Sequence, residues 1–385
     1  MKNLLIDFIP FQTVGGVGGA ASFAKAIYDE LFSSLPSDVH VMAAYDSTLP
    51  TTGRFDCQQL AETWKITLVD ISAETLAGIT QRLSIDTFFM AIAQFYTQYD
   101  LSGIVCKVIM FIHDIYDWEK CDNRIDLVLS DRIIETRWLH MKRIINLCGG
   151  RWKRIHTKRY QKLMPLYIAD NTKAYTVSEY SKYALEYYFP QCKDKISICY
   201  SPLKNKENGS AIENQQLAEL VELGKPYLLL LAANRIYKNA SLLVKVFKRL
   251  LGDYPDLRML TLKYGKSIGE NHIDIDYLSD SDMEFAYQHS YMLVFASLLE
   301  GFGYPPIEAA RHGVPTVASN VTSIPEILSY AGVYFSPFYP ADLYRAIITM
   351  MRDRDKYAEL SRKRYEEIVK RQQDDLKSLI AEILN

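Results

Sequence analysis

Apolar residues fall in short blocks, each bounded by polar or turn-forming residues, along most of the chain. Leu4–Phe8, Val39–Ala44, Lys65–Val69 and Lys107–Ile112 read as strands buried on both faces, because each run is near-continuous rather than alternating. Lys173–Val177 and Ile196–Tyr200 continue the series. Helical spacing appears between them. Phe23, Ile27 and Leu31 share one face of Ala20–Phe32, and Ser178 stands where it can cap a helix over Ser178–Phe189. Past residue 226 the pattern restarts, with strands at Tyr227–Ala232, Leu257–Leu262, Tyr291–Ala296 and Thr316–Ala318 and helices at Ser241–Leu251, Asp282–His289 and Pro306–His312. Strands alternating with helices predict an α/β fold of two doubly wound units with parallel sheets. The expected organisation is a first unit over 1–201, a polar linker over 202–225 and a second unit over 226–340. C-terminal helices over 341–385 are expected to pack back across the interdomain region. Two such units leave a cleft at the carboxyl ends of their strands, where open α/β sheets take ligands.

Bulk properties narrow the class. A chain of 385 residues is long enough for two cores. A formal net charge of −2 argues against general nucleic-acid binding, which needs a basic field. Six cysteines are scattered with no CxxC spacing, which fits a reducing, cytoplasmic setting and disfavours a zinc or redox site. The opening residues MKNLLIDFIP hold a short apolar run broken by Asp7 and Pro10, which reads as a buried strand rather than a leader. No uncharged apolar run is long enough for a membrane-spanning helix. One segment departs from the pattern: Arg137–Lys162 interleaves lysines and arginines with Trp138, Trp152 and Tyr160. It reads as a solvated amphipathic helix, and leaves peripheral contact with an anionic membrane open.

The chemistry concentrates in one stretch. Tyr291–Ala296 should end at the cleft, and 297–304 should turn over it. Gly301 and Gly303 lack a Cβ, so the backbone can adopt unusual dihedrals and approach a ligand closely. Pro305 and Pro306 suit a helix entry, and the N–H groups at a helix start suit an anion such as a diphosphate. Glu300 and Glu308 would repel phosphates but accept hydrogen bonds from paired hydroxyls. By themselves, Glu308 could equally complement the helix dipole and Glu300 could be a surface loop residue.

The run Ser297-Leu-Leu-Glu-Gly-Phe-Gly-Tyr-Pro-Pro-Ile-Glu-Ala-Ala-Arg-His-Gly-Val-Pro-Thr-Val-Ala-Ser319, continued by Thr322-Ser-Ile-Pro-Glu326, resembles the donor-site signature of family 4 retaining glycosyltransferases. That resemblance implies the GT-B fold, two Rossmann-like domains facing a central cleft. It implies that Glu308 binds the nucleotide ribose, that Glu300 binds the donor sugar, and that Gly301, Phe302 and Gly303 offer backbone amides to sugar and phosphate. Lys238-Asn239 matches the family's basic pair, with Arg235 as a second cation toward the leaving diphosphate. Gly15 and Gly16 correspond to a glycine turn that closes over the donor from the first domain. His113, after the strand Lys107–Ile112, corresponds to a histidine near the donor sugar and acceptor; its plainer reading is a ring satisfying strand-end backbone. Val177-Ser-Glu-Tyr-Ser-Lys182 matches a further family segment and reads mainly as helix capping.

The implied activity is transfer of a sugar from a UDP- or GDP-type donor to a hydroxyl of a saccharide or lipid-linked saccharide. The anomeric configuration would be retained, with no metal or other cofactor. Asp274-Ile-Asp276 has the outline of the metal motif of a different glycosyltransferase fold but is read as non-ligating, with Asp280 and Asp282 as turn and cap residues. Tyr264 and Tyr277 are candidates for base recognition. A sugar-nucleotide epimerase on the same scaffold and a non-catalytic sugar-nucleotide-binding subunit remain alternative readings.

Overall fold

The computed structural model describes residues 2–12, 19–50, 55–115, 118–119, 151–203 and 212–385. The chain divides into two compact units: Met1–Trp118, Gly150–Asn205 and Arg371–Asn385 form unit 1, and Lys206–Lys370 lie in unit 2.

Among the described residues of unit 1, seven strands form one parallel sheet: β1 (Lys2–Asp7), β2 (Val39–Tyr45), β3 (Thr67–Asp70), β4 (Thr87–Met90), β5 (Lys107–Phe111), β6 (Thr172–Thr176) and β7 (Ile196–Ile198). Their order is β3-β2-β1-β4-β5-β6-β7, so the direction of winding reverses between β1 and β4. Helix Gly19–Ser33 follows β1 and buries Phe23, Ile27 and Leu31, as their spacing predicts. Helix Glu179–Tyr188 starts where Ser178 accepts the Ser181 N–H at 3.1 Å. Helix Arg151–Ile168 buries Tyr160, Leu163 and Tyr167 and turns Arg154, Lys158 and Lys162 to solvent.

Among its described residues, unit 2 repeats the plan with six parallel strands: β8 (Tyr227–Leu230), β9 (Arg258–Leu262), β10 (His272–Ile275), β11 (Met292–Phe295), β12 (Thr316–Ser319) and β13 (Gly332–Phe335), in the order β10-β9-β8-β11-β12-β13. The strand side chains divide by parity. Leu228, Leu230, Met292 and Val294 join one apolar cluster, while Tyr227, Leu229, Leu293 and Phe295 join the cluster on the opposite face. Burial on both faces is why these runs carry no polar alternation. The winding reverses between β8 and β11, which pair directly.

The sequence pattern assigns no strand at β4, β10 or β13. Thr87–Met90 is a run of four that occupies the middle of its sheet, where adjacency to β1 and β5 substitutes for length. His272–Ile275 is an edge strand whose His272 and Asp274 side chains both bind the Thr261 hydroxyl of the adjoining β9. Several helix bounds also shift: the predicted Pro306–His312 begins at Tyr304, and the predicted Asp282–His289 begins at Asp280 with Ser279 as its cap. Asp282 is therefore not the cap. It takes the Ser279 hydroxyl at 2.9 Å and the N–H groups of Glu213 at 2.9 Å and Asn214 at 3.3 Å, which ties the start of helix Gln215–Glu222 to this one.

Helix Arg354–Leu384 is continuous over 31 residues. Arg354 and Arg364 bind carbonyls of Tyr291, Glu326 and Ile327 in unit 2. Further along, Asp375 accepts the Tyr200 N–H at 2.9 Å, and Glu382 meets Lys107 at 2.7 Å and Lys173 at 2.6 Å in unit 1. Among the described residues, no helix is long and apolar enough to cross a membrane.

Candidate functional site

In unit 2 the candidate residues gather at the carboxyl ends of β8 and β11, the two strands flanking the point where the winding reverses. After β8, Ala232 turns the chain with φ +51°, and Ala233 N–H bonds Leu262 O at 2.7 Å. A single helical turn, Ile236–Lys238, follows and ends at Asn239, which has φ +55° and is buried. The Asn239 amide donates to Pro337 O at 2.9 Å, so its side chain holds this turn down. The Leu298 N–H reaches Tyr237 O at 2.8 Å and locks the segment after β11 to the segment after β8.

That backbone lock brings together two residues 62 positions apart. The Lys238 ammonium lies 2.5 Å from Glu300 Oε1, with the two side chains only 9% and 14% exposed. The ammonium also sits 4.8 Å from the Phe295 ring centroid and 5.3 Å from that of Tyr237. An ion pair so withdrawn from water has a high desolvation cost, and aromatic faces repay part of it. The family resemblance implies separate tasks for these two residues; the structure pairs their side chains. Arg235, by contrast, is exposed, with Nη1 2.9 Å from the Tyr237 hydroxyl.

The loop that carries Glu300 is fixed from below. Glu300 N–H donates to Thr322 Oγ1 at 3.2 Å. The buried Ser323 hydroxyl reaches Glu300 O at 3.0 Å and Phe302 O at 3.1 Å. Phe302 is buried, and Gly303 has φ +98°, a region closed to most side chains. Helix Tyr304–Arg311 starts there, with prolines in its first turn and no side chain at Gly303 to cap it. Because this helix begins at Tyr304, Glu308 falls in its second turn rather than the first, which weakens the helix-dipole explanation of Glu308. Glu308 Oε2 instead accepts the hydroxyl of Tyr287 at 2.6 Å. Tyr287 is fully buried, and burial together with the Glu308 charge pushes its hydroxyl well above the usual tyrosine range, so it remains a donor. The sequence does not single out Tyr287, Thr322 or Ser323 as supports: Tyr287 sits in a helix with no distinguishing pattern, and Thr322-Ser323 only continues the family signature.

Other candidates separate. The Asp274 carboxylate is consumed locally, accepting from Thr261 Oγ1 at 2.6 Å, Tyr264 N at 2.9 Å and Gly265 N at 2.6 Å. Tyr264 is half-buried against His272, and Tyr277 is 74% exposed. In unit 1, His113 follows β5. Its Nε2 donates to Ala91 O at 3.2 Å, and its ring meets the Phe23 ring at a centroid distance of 4.2 Å. Burial lowers His113 to about 4, so the ring is neutral at neutral pH. Gly15, Gly16 and the 137–150 part of the basic segment lie outside the described residues.

Residues 212–367 match the family model described as glycosyl transferases group 1. They form a group 1 glycosyl transferase domain. This domain contains Arg235, Lys238, Glu300 and Glu308. Part of the chain is 29% identical over 167 residues to the serotype-specific mannosyltransferase WbdA of Escherichia coli. That match covers 39% of this chain and spans about a fifth (20%) of the relative's length. A second relative, the O-antigen chain mannosyltransferase RfbU of Salmonella typhimurium, is 24% identical over 155 residues, covering 37% of this chain and 41% of the relative. The crystal structure of Anabaena HepE in complex with UDP superposes with a TM-score of 0.63 at 15% identity, covering 98% of this chain and 99% of that one. With two parallel, doubly wound sheets, and structural neighbours that also include WaaG, a glycosyltransferase involved in lipopolysaccharide biosynthesis, at a TM-score of 0.62 and 12% identity, the group 1 domain is part of a GT-B fold.

Proposed function

We propose that the protein transfers a sugar, most simply a mannosyl residue, from a nucleoside-diphosphate donor to a hydroxyl of a growing polysaccharide. The observation that carries this reading is the Lys238–Glu300 pair, nearly buried at the reversal point of the unit 2 sheet and on the same loop–helix segment as Glu308. A carboxylate held by one ammonium keeps acceptor capacity for sugar hydroxyls, and the ammonium keeps N–H groups for phosphate oxygens. Glu308, oriented by Tyr287, takes the paired hydroxyls of the ribose. The helix start at Tyr304, with Lys238 and Arg235, stabilises the diphosphate as it departs, which removes the need for a metal ion. No carboxylate is assigned as a covalent nucleophile. The acceptor attacks from the face the diphosphate leaves, a phosphate oxygen takes its proton, and the anomeric configuration is retained. His113, neutral, meets a substrate hydroxyl through Nδ1. The mannosyl assignment draws on the two mannosyltransferase relatives, and the UDP complex of HepE supports a nucleoside-diphosphate site.

A screen of UDP- and GDP-sugars for nucleotide release, with and without saccharide acceptors and with EDTA present, tests the proposal. Acceptor-dependent release that persists in EDTA, with an α-linked product from an α-linked donor, is the expected result. Tight nucleotide binding without turnover would make the chain a binding subunit, and recovery of an epimerised donor would make it an epimerase.

A further inference from the structure

We propose that Asp7 is a positioning residue for His113, acting through the single peptide group that joins Ala91 to Ile92. This rests on the reading of His113 as a group that meets the substrate. Asp7 ends β1, Ala91 follows β4 and His113 follows β5, and these three strands are neighbours in the sheet. The Ile92 N–H donates to Asp7 Oδ2 at 3.4 Å, while the carbonyl of the same peptide, Ala91 O, accepts from His113 Nε2 at 3.2 Å. The peptide is thus held from both ends, and hydrogen bonds in series polarise one another.

The rest of Asp7 is fixed. Oδ1 accepts the Ile9 N–H at 2.9 Å and the Tyr96 hydroxyl at 2.8 Å. The Asp7 N–H donates to the Tyr28 hydroxyl at 3.1 Å, and that hydroxyl donates to Asp7 O at 2.7 Å. An amide in place of the carboxylate could accept from Ile9 and Tyr96, but would turn an NH2 group toward the Ile92 N–H. Only a carboxylate accepts on both sides. Asp7 is completely buried. Burial raises its carboxyl to about 7, against the bonds from Tyr96, Ile9 and Ile92, which favour the ionised form. The titratable groups facing it are Tyr28, Tyr96, Tyr99 and Cys57. Burial pushes all of them up, Cys57 to about 12, so they keep their protons where Asp7 titrates.

The consequence for His113 concerns its tautomer. Ala91 O can only accept, so Nε2 carries the hydrogen and Nδ1 is the acceptor that faces substrate chemistry. Protonation of Asp7 on Oδ2 sets an O–H against the Ile92 N–H, loosens the peptide and releases the ring from this one tautomer.

Ring 1H–15N spectra of the protein labelled in histidine, with His113 assigned by a His113→Gln variant, test this without any substrate. The expected wild-type result is one Nε2–H tautomer at pH 8, and a change in the His113 ring nitrogens with a midpoint near pH 7 while the ring stays neutral. In Asp7→Asn that step disappears and both tautomers are seen. Sugar transfer by this variant loses about tenfold or more in kcat, while the donor KM stays within about threefold. His113 shifts that are flat between pH 6 and 8 in the wild type, or unchanged in Asp7→Asn, overturn the proposal. Should Asp7→Asn fail to fold, Tyr96→Phe decides: it removes a bond that favours the carboxylate, so the midpoint rises, and an unmoved midpoint overturns the relay. Absence of turnover with every nucleotide sugar would sink the proposed function but leave the ring spectra able to decide this inference.

Discussion

At the scale of single residues, Lys238 and Glu300 each depend on the other's charge, whatever the pair binds. Removing one partner of a pair this buried leaves the other charge uncompensated. Lys238→Met should therefore destabilise the protein by about 3 kcal/mol, read by denaturant unfolding. Glu300→Gln keeps a hydrogen-bonding group beside the ammonium and should cost less stability, while transfer falls roughly 100-fold or more; near-normal turnover would remove Glu300 from the mechanism. Asp7 and His113 act on stability with opposite signs. His113 is lowered from 6.5 to about 4, so its contribution is present above pH 6.5 and lost as pH falls toward 4. Asp7 is raised from 3.8 to about 7, so its contribution is present below pH 3.8 and lost as pH rises toward 7. The two slopes offset each other between pH 4 and 6.5. Asp7→Asn should expose the His113 slope alone, giving a Tm that rises more steeply over that interval than in the wild type. Neither pairing was legible in the sequence. Asp7 reads as the polar end of an apolar run, and Lys238 meets Glu300 only because β8 and β11 are neighbours across a reversal that local pattern does not reveal.

At the scale of elements, strand and helix types were readable because burial on both faces writes continuous apolar runs, as in Tyr227–Leu230 and Met292–Phe295. Boundaries were less so. Pro305-Pro306 signalled the helix entry, but Gly303 at φ +98° sets the start two residues before the expected one. Gly303→Ala should cost about 1–2 kcal/mol from backbone strain, since an added Cβ meets the Phe295 ring at an ordinary 3.6 Å. Ser323→Ala breaks two bonds to the loop carbonyls of Glu300 and Phe302. It should lower kcat with little change in nucleotide affinity. Tyr287→Phe should do the reverse, raising the donor KM several-fold with kcat nearly unchanged, because it frees a carboxylate that the proposed mechanism assigns to the ribose rather than to the departing charge. Steady-state kinetics on the two variants together distinguish loop support from ribose support.

At the scale of the whole molecule, unit 1 is completed by residues 371–385. Leu379, Ile380 and Ile383 are buried there, Glu382 lies between Lys107 and Lys173, and the Lys2 ammonium reaches Leu384 O at 2.9 Å. Glu382→Ala alone should cost about 1 kcal/mol, as a part-exposed cluster. A chain ending at residue 370 should lose the cooperative unfolding of unit 1 altogether, seen as a missing calorimetric transition. The same arrangement has a bearing on synthesis. The ribosome delivers the strands of unit 1 first, but their covering segment follows only after residues 206–370 have been made, an interval on the order of ten seconds or more. Throughout it, the sheet's apolar surface waits without its last helix. Unit 2 can close as soon as it emerges, so unit 1, whose strands are made before it, is completed after it, and unit 1 is where chaperone binding to the nascent chain would matter.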